Sequence, residues 1–262
     1  MIGNKDGYAL VTGASSGIGY ELARLLAKDG KKLVVVARSQ GKLEELKTEI
    51  ENKYGTNVKV LSKDLSDPKA PQEIFSELEK DSVNVDVLVN NAGFSVWGKF
   101  SETDWQKEAE MIQVNITSLI HLTKLFVNKM LETQWGRILN VASLCGFVSA
   151  PLESVYCASK SSVLHFSEAL ADEVRGTGVS VTCLCPGFTE TLFYQRANME
   201  KSKAAKMKMM DAAAVAEVGY AALMNGKVIA IPGVQNRLMQ FSTRLGPRGL
   251  ATRIMRGMLE PM

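Results

Sequence analysis

Short apolar runs rich in β-branched residues recur along this chain. They are separated by longer stretches in which apolar positions return every three or four residues. Residues 8–12, 32–38, 58–61, 85–89, 136–143, 179–185 and 227–233 read as buried strands, being apolar without strict alternation. Between them, 20–28, 42–53, 105–131, 156–175 and 212–224 carry the helical period. Asp67 and Pro68 supply the N-cap and first-turn proline of a further helix. Strands that alternate with helices predict an α/β fold, a parallel sheet of about seven strands with helices on both faces. Asn115 interrupts the 105–131 stretch with a residue that competes for backbone hydrogen bonds, which marks a local opening.

The first strand runs into Gly13-Ala14-Ser15-Ser16-Gly17-Ile18-Gly19 and then a helix. Glycines permit a tight turn and close approach of backbone to a phosphate, and the helix N-terminus offers unpaired N–H groups and partial positive charge. Taken alone, the same turn serves a plain strand-to-helix connection. The spacing G-x-x-x-G-x-G differs from the common G-x-G-x-x-G fingerprint, and no Gly-Lys-Ser/Thr follows to make a P-loop. The second strand ends in Ala37-Arg38, where NAD-binding folds place an acid for the ribose hydroxyl. A base without an acid favours the 2′-phosphate of NADP(H). Asp64-Leu65 and Asn90-Asn91-Ala92-Gly93 close two further strands, at the carboxyl ends where such sheets bind ligands.

Composition adds bounds. The 262 residues are 46% hydrophobic and 23% charged, the profile of a globular protein with ample core. Met1 to Asp6 is a polar lead-in, and no apolar run reaches the ~18 residues of a membrane helix, so a cytoplasmic location is expected. Cys145, Cys157, Cys183 and Cys185 form no CxxC pair and have only His121 and His165 as companions. Buried thiols are expected, with neither a disulfide framework nor a metal site. The net charge of +3 conceals an uneven distribution: between Glu217 and Glu260 stand Lys227, Arg237, Arg244, Arg248, Arg253 and Arg256 and no acid. Without those six the chain carries −3.

Tyr156 and Lys160, four residues apart, share one helical face. A neighbouring ammonium favours phenolate, so the pair can move a proton to or from an alcohol or ketone oxygen. Ser143 ends the fifth strand 13 residues earlier and adds a donor to fix that oxygen.

With these residues in place, the chain resembles the short-chain dehydrogenase/reductase family over about residues 8–187. The motifs are Thr12-Gly13-x-x-x-Gly17-x-Gly19, Asp64-Leu65, Asn90-Asn91-Ala92-Gly93, Asn115, Ser143, Tyr156-x-x-x-Lys160 and Pro186-Gly187, in the family's order. The resemblance implies one Rossmann-like, doubly wound domain over residues 1–262. It implies Tyr156 as general acid/base, Ser143 as the group that positions the substrate oxygen and Lys160 as the ribose contact that depresses the phenol pKa. Asn115 would hold, through its backbone, a water that links Lys160 to solvent. Gly13, Ser15, Ser16, Gly17, Ile18, Gly19 and Arg38 would bind the dinucleotide, with Asp64 and Leu65 at the adenine and Asn91, Ala92 and Gly93 beside its ribose. Pro186, Gly187, Thr189 and Thr191 would hold the carboxamide end.

The family further implies a small-molecule carbonyl or alcohol substrate, a homodimer or homotetramer, and neither metal nor nucleic acid. Residues 188–210 stand where the family has a substrate-covering loop. Phe94, Trp97, Cys145, Phe147, Phe188 and Phe193 would line an apolar pocket for a lipophilic substrate, or pack in the core. The Val-Asp-Gly-Gly ending of ketoacyl-carrier-protein reductases is absent. A tail at 234–262 replaces it, broken at Gly246-Pro247, with apolar residues among arginines. Three roles stay open for it: covering the active site, binding another subunit, or weak contact with a membrane surface. A regulatory or scaffold protein that binds a dinucleotide with little turnover is the alternative to an enzyme.

Overall fold

The computed structural model describes residues 7–262. Met1 to Asp6, the polar lead-in, lie outside the described residues, as do the side chains of Arg244 and Leu245 in the tail. The chain runs β1 (Tyr8–Thr12), α1 (Gly17–Lys28), β2 (Lys32–Ala37), α2 (Gln40–Tyr54), β3 (Val58–Ser62), α3 (Ala70–Lys80) and β4 (Val85–Asn90). Then come α4 (Trp105–Ile112), a π-helical turn (Gln113–Ser118), α5 (Leu119–Glu132), β5 (Gly136–Val141), α6 (Ser154–Glu173) and β6 (Val179–Leu184). A short α7 (Phe193–Arg196), α8 (Ala212–Met224), β7 (Ile229–Ala230), α9 (Val234–Leu245) and α10 (Arg248–Leu259) complete it.

All seven strands pair in parallel in the order β3-β2-β1-β4-β5-β6-β7. The order reverses between β1 and β4, and such a switch point opens a crevice at the strands' carboxyl ends. Alternate side chains divide the sheet between two layers. Ala9, Val11, Leu33 and Val35 pack on Leu22 and Leu26 of α1, Leu46 of α2 and Val215 of α8. Leu10, Val34 and Leu88 face the other way, onto Ile74 of α3 and Phe126 of α5. A third cluster, with Met111, Tyr156, Tyr194, Met199, Met255 and Leu259, sits at the mouth of the crevice. The predicted doubly wound sheet is therefore the fold observed.

A buried polar chain locks β4 and β5 to the helices below. Asn90 Nδ2 donates to Thr123 Oγ1 at 3.0 Å and to Asn140 Oδ1 at 2.9 Å, and Asn140 Nδ2 donates to Ser167 Oγ at 3.0 Å. Asn140 and Ser167 are fully buried, so each bond replaces one that water would otherwise make.

Several expected elements are drawn differently. The 105–131 helix is three pieces, with Asn115 inside the π-helical turn, where a local opening is predicted. Asp67 does not cap α3. Its carboxylate accepts from Lys69 N in a two-residue turn, and α3 begins at Ala70 with Pro71 in its first turn. The 136–143 strand stops at Val141, because Ser143 turns to accept from Cys145 N and cap a short 3₁₀ turn, Leu144–Gly146. The 227–233 strand shrinks to two paired residues, Ile229 and Ala230. Pro232 has no N–H to donate and Gly233, at φ +83, turns the chain away.

Replacing Asn140 by leucine removes an acceptor from the Asn90 amide, which keeps Thr123 Oγ1, and a donor from the Ser167 hydroxyl, which keeps Val163 O. Urea unfolding is expected to show a loss of about 1–3 kcal/mol, and an unchanged midpoint would mean the network contributes nothing.

Candidate active site

The switch-point crevice begins at the glycine turn. Gly13 and Gly17 hold φ +66 and +60, values that favour glycine. A Cβ on Gly19 would lie 2.6 Å from Gly13 O and 2.3 Å from Asn91 Nδ2, so only glycine lets α1 approach the turn this closely. Thr12 ties the turn to β4: its hydroxyl accepts from Asn91 N and Ala92 N at 2.9 and 3.0 Å and reaches Val89 O at 3.2 Å. Asn91 Nδ2 returns a bond to Thr12 O at 3.0 Å. Ser16, at the N-cap of α1, makes no capping bond through its side chain. Ser15, Ser16, Gly17 and Ile18 line a cleft of about 570 Å³ at this helix end, a cradle suited to pyrophosphate.

Along the cleft, Arg38, Asp64, Leu65, Asn91, Ala92 and Gly93 form the wall beyond β2 and β4. Arg38 is exposed. No acid stands beside it at the end of β2, where Ala37 and Ser39 flank it. Asp64 Oδ1 accepts from Ser66 N at 3.0 Å, and Leu65 O accepts from Ser118 Oγ at 2.7 Å. The carboxyl ends of β5 and β6 bring in the rest. Leu144 N donates to Pro186 O at 2.9 Å, Thr189 Oγ1 to Gly187 O at 3.0 Å and Phe193 N to Thr191 Oγ1 at 3.2 Å. The predicted cofactor contacts therefore line one cleft, apart from Gly19, which packs behind it. Its glycine cradle and open helix terminus fit a nicotinamide dinucleotide.

Ser143, Tyr156 and Lys160 meet at the far end of this cleft. Lys160, 4% exposed, donates from Nζ to Val141 O at 2.8 Å, and burial lowers its pKa to about 8. Burial also pushes the Tyr156 phenol well above its usual range, with Cys145 and Glu153 adding to the rise and a hydrogen bond with Ser143 opposing it. The expected depression of the phenol by Lys160 is thus not what the protein groups alone produce. Desolvation dominates, and the ammonium is engaged by a backbone carbonyl, 5.8 Å from the phenol ring centroid. Asn115, fully buried, uses its side chain: Oδ1 accepts from Phe94 N at 3.2 Å while Nδ2 donates to Phe94 O at 3.0 Å and to Ser159 Oγ at 3.1 Å.

Beyond Tyr156 the walls turn apolar. Phe94, Cys145, Phe188 and Phe193 line the chamber as expected, whereas Trp97 and Phe147 pack behind it. The tail closes the chamber through α10. Met255 and Leu259 are buried against Tyr156 and Tyr194, and Trp97 Nε1 donates to Leu259 O at 3.0 Å. The last residues are pinned to the covering segment, Lys203 N to Glu260 O at 3.0 Å and Met262 N to Lys201 O at 2.9 Å. Of the three roles left open for the tail, covering the site is the one built here, while Val234, Leu238 and Phe241 of α9 point outward.

Among the residues that sequence reasoning did not single out are Glu153, which lines the chamber, and its partner Ser95. Glu153 lines the cleft one turn ahead of Tyr156, with Oε1 accepting from Ser95 Oγ at 2.6 Å. Burial raises its pKa from the ordinary 4.5 to about 7. The only signal was an acid three residues before the tyrosine, indistinguishable from an acid in any first helical turn.

Known proteins bear on this arrangement. The pattern of a family described as short chain dehydrogenase matches residues 7–202. Nodulation protein G of Rhizobium sp. (strain N33) is 35% identical over 199 residues, 75% of this chain and 78% of that protein. A short-chain dehydrogenase from Sphingobium yanoikuyae in complex with NADPH is 27% identical with a TM-score of 0.82, covering 93% of this chain and 94% of that one. A short chain dehydrogenase/reductase from Burkholderia phymatum in complex with NAD is 25% identical, also with a TM-score of 0.82, covering 98% of both chains. No helix among the described residues is long and apolar enough to cross a membrane.

The raised Glu153 pKa makes stability depend on pH. The folded chain holds a proton that the unfolded chain releases near 4.5, so stability is greatest below that value and falls as pH rises towards about 7. Urea unfolding is expected to show the wild type losing roughly 3 kcal/mol relative to Glu153→Gln across this window. Asp86, also raised by burial, stays in both proteins and cancels. Parallel curves for the two would show that Glu153 ionises normally.

Proposed function

The chain belongs to the short-chain dehydrogenase family, and from that premise we propose an NADP(H)-dependent oxidoreductase that interconverts a carbonyl and a secondary alcohol on a lipophilic small molecule. The observation that carries this reading is the convergence of Ser143, Tyr156 and Lys160 at one end of a single cleft whose other end is a glycine cradle. When bound, the dinucleotide supplies or accepts hydride at its nicotinamide.

The chain's own groups do the rest. The Ser143 hydroxyl donates to the substrate oxygen and orients the carbonyl. The Tyr156 hydroxyl gives its proton to that oxygen as negative charge develops there, which suits a phenol that burial keeps protonated at neutral pH. Lys160, held on Val141 O, offers its remaining N–H groups to a ribose and its charge to the developing anion. In the direction of alcohol oxidation the phenol must lose its proton, and burial opposes this. A preference for NADP(H) is what points to reduction as the direction in use. Asn115 fixes the Phe94 backbone against α6, and the π-helical turn around it replaces the ordinary helical hydrogen-bond ladder where the family's relay water would be held.

Arg38, without an acid beside it, supports NADPH over NADH. The apolar chamber under α10 supports a bulky, lipophilic substrate. Phe100, Trp105 and Ile120 are exposed on the α4–α5 side, a surface that the family's homodimer or homotetramer would cover.

Tyr156→Phe is expected to bind NADPH as the wild type does and to reduce ketones about 10²–10⁴-fold more slowly. The absorbance of the reduced nicotinamide reads the rate, and its fluorescence on binding reads the affinity. Undiminished turnover would remove the phenol from the reaction. Arg38→Asp is expected to weaken NADPH about 5- to 100-fold, the loss of a charge-assisted bond, while NADH gains or holds. Equal loss with both dinucleotides would show that Arg38 does not read the phosphate.

A further inference from the structure

The reaction just proposed leaves Glu153, a buried carboxyl of the chamber, without a task. Glu153 is 4% exposed, and its support, Ser95, is 2% exposed. Oε1 is occupied by the Ser95 hydroxyl. No donor reaches Oε2 among the described residues. Yet Oε2 is not sealed in the way that the unpartnered Asp86 Oδ1 and Asn90 Oδ1 are, so it opens on the cleft that Glu153 lines. Tyr156 and Cys157 from α6, Cys145 from the 3₁₀ turn and Tyr194 from α7 surround it, and no basic side chain acts on it. An isolated carboxyl is costly in such walls. Among the described residues Ser95 is the carboxyl's only hydrogen-bond partner, so its second oxygen is left for a ligand.

We propose that Glu153, braced by Ser95, is a second polar subsite of the substrate chamber and takes a hydroxyl group that lies a few bonds from the reacting carbonyl. The substrate is then a lipophilic hydroxy-ketone, and the product the corresponding diol. Glu153 is the N-cap of α6, at φ −134 and ψ 37, three residues before Tyr156; its charge acts on the phenol and both side chains line one cleft, so the oxygens they hold belong to one small ligand. A hydroxyl both donates and accepts, so it serves the neutral carboxyl and the carboxylate alike. A substrate carboxylate would set two acids together in an apolar chamber, and an ammonium would lose its water to walls of Phe, Met and Tyr.

The inference rests on the proposed reductase reading, but its test needs no turnover. The chain loaded with NADP⁺ is titrated by calorimetry with two pairs of probes, benzoin with deoxybenzoin and β-hydroxydihydrochalcone with dihydrochalcone. Each pair differs by one hydroxyl. The wild type is expected to bind one hydroxy-ketone about 10- to 100-fold more tightly than its partner. Glu153→Gln, whose amide still donates and accepts, keeps most of that ratio. Glu153→Leu brings it close to one, and Ser95→Ala lowers it several-fold.

Equal or undetectable binding of both members of both pairs by the wild type overturns the subsite. So does a ratio that survives Glu153→Leu, or a loss in that variant that is equal for both ketones and NADP⁺, as a purely structural role would give. Tighter binding of the amino analogue of benzoin than of benzoin makes it a cation site and also overturns the proposal. Should Glu153→Leu fail to fold, an unchanged ratio in Ser95→Ala decides against it. A clear ratio without NADPH oxidation would sink the reductase reading and leave the subsite standing.

Discussion

The Asn115 carboxamide holds together parts of the chain that are remote in sequence. Its oxygen and nitrogen grip both backbone groups of Phe94, and its second N–H reaches Ser159. Ser159 Oγ in turn donates to Tyr156 O at 2.7 Å, so the grip reaches the backbone of the tyrosine. The fit leaves no slack: a Cβ on Gly93 would lie 3.0 Å from Asn115 Oδ1 and 3.3 Å from Lys160 Nζ. Reaching this position requires the helix between α4 and α5 to widen into a π-helical turn, a form that persists only where surrounding contacts repay it. The strand-end turn at β4, the opening before α5 and the helix with Tyr156 and Lys160 are thus set by one side chain.

Desolvation acts on Tyr156, Glu153 and Lys160 in the same sense, towards neutrality. It raises Tyr156 and Glu153 and lowers Lys160. Of the three, Lys160 is the cation, and its retained charge is supported by a carbonyl dipole at Val141. A site of this kind holds protons in reserve and keeps little standing negative charge. That is a coherent environment for delivering a proton to an oxygen, and a poor one for binding a substrate that is itself an anion.

Much of this was legible in the chain because the relevant features are local. The glycine turn, the strand ends at Asp64 and Asn90, and the Tyr156–Lys160 spacing are each fixed within seven residues or fewer of sequence. Strand and helix positions came from apolar periodicity, and Asn115 marked its own opening. What stayed hidden depends on how the folded backbone runs and on partners remote in sequence. Whether Asp67 caps a helix or closes a turn depends on where Lys69 N points. The brevity of β7 depends on how little of it Cys183 and Leu184 of β6 reach, and the direction of the Tyr156 shift on how deeply the folded chamber buries it. Glu153 looked like an ordinary acid early in a helix, because the chamber that makes it unusual is closed by Ser95 on one side and α10 on the other. The tail had three readings for the same reason: its apolar residues divide between an inward set, Met255 and Leu259, and an outward set, and only packing assigns them.

The roof formed by α10 has a consequence for the order in which the molecule comes into being. The glycine cradle and the Ser143–Tyr156–Lys160 cluster are all present once synthesis has passed Thr191, and the strands that hold them are by then nearly all made. The chamber beside them waits for Met255 and Leu259, made well after Thr191, and for the strap that ties Glu260 to Lys203. Domains fold from the amino end as they are made. On a growing chain the half of the cleft that reads the nucleotide therefore exists before the half that chooses what will react.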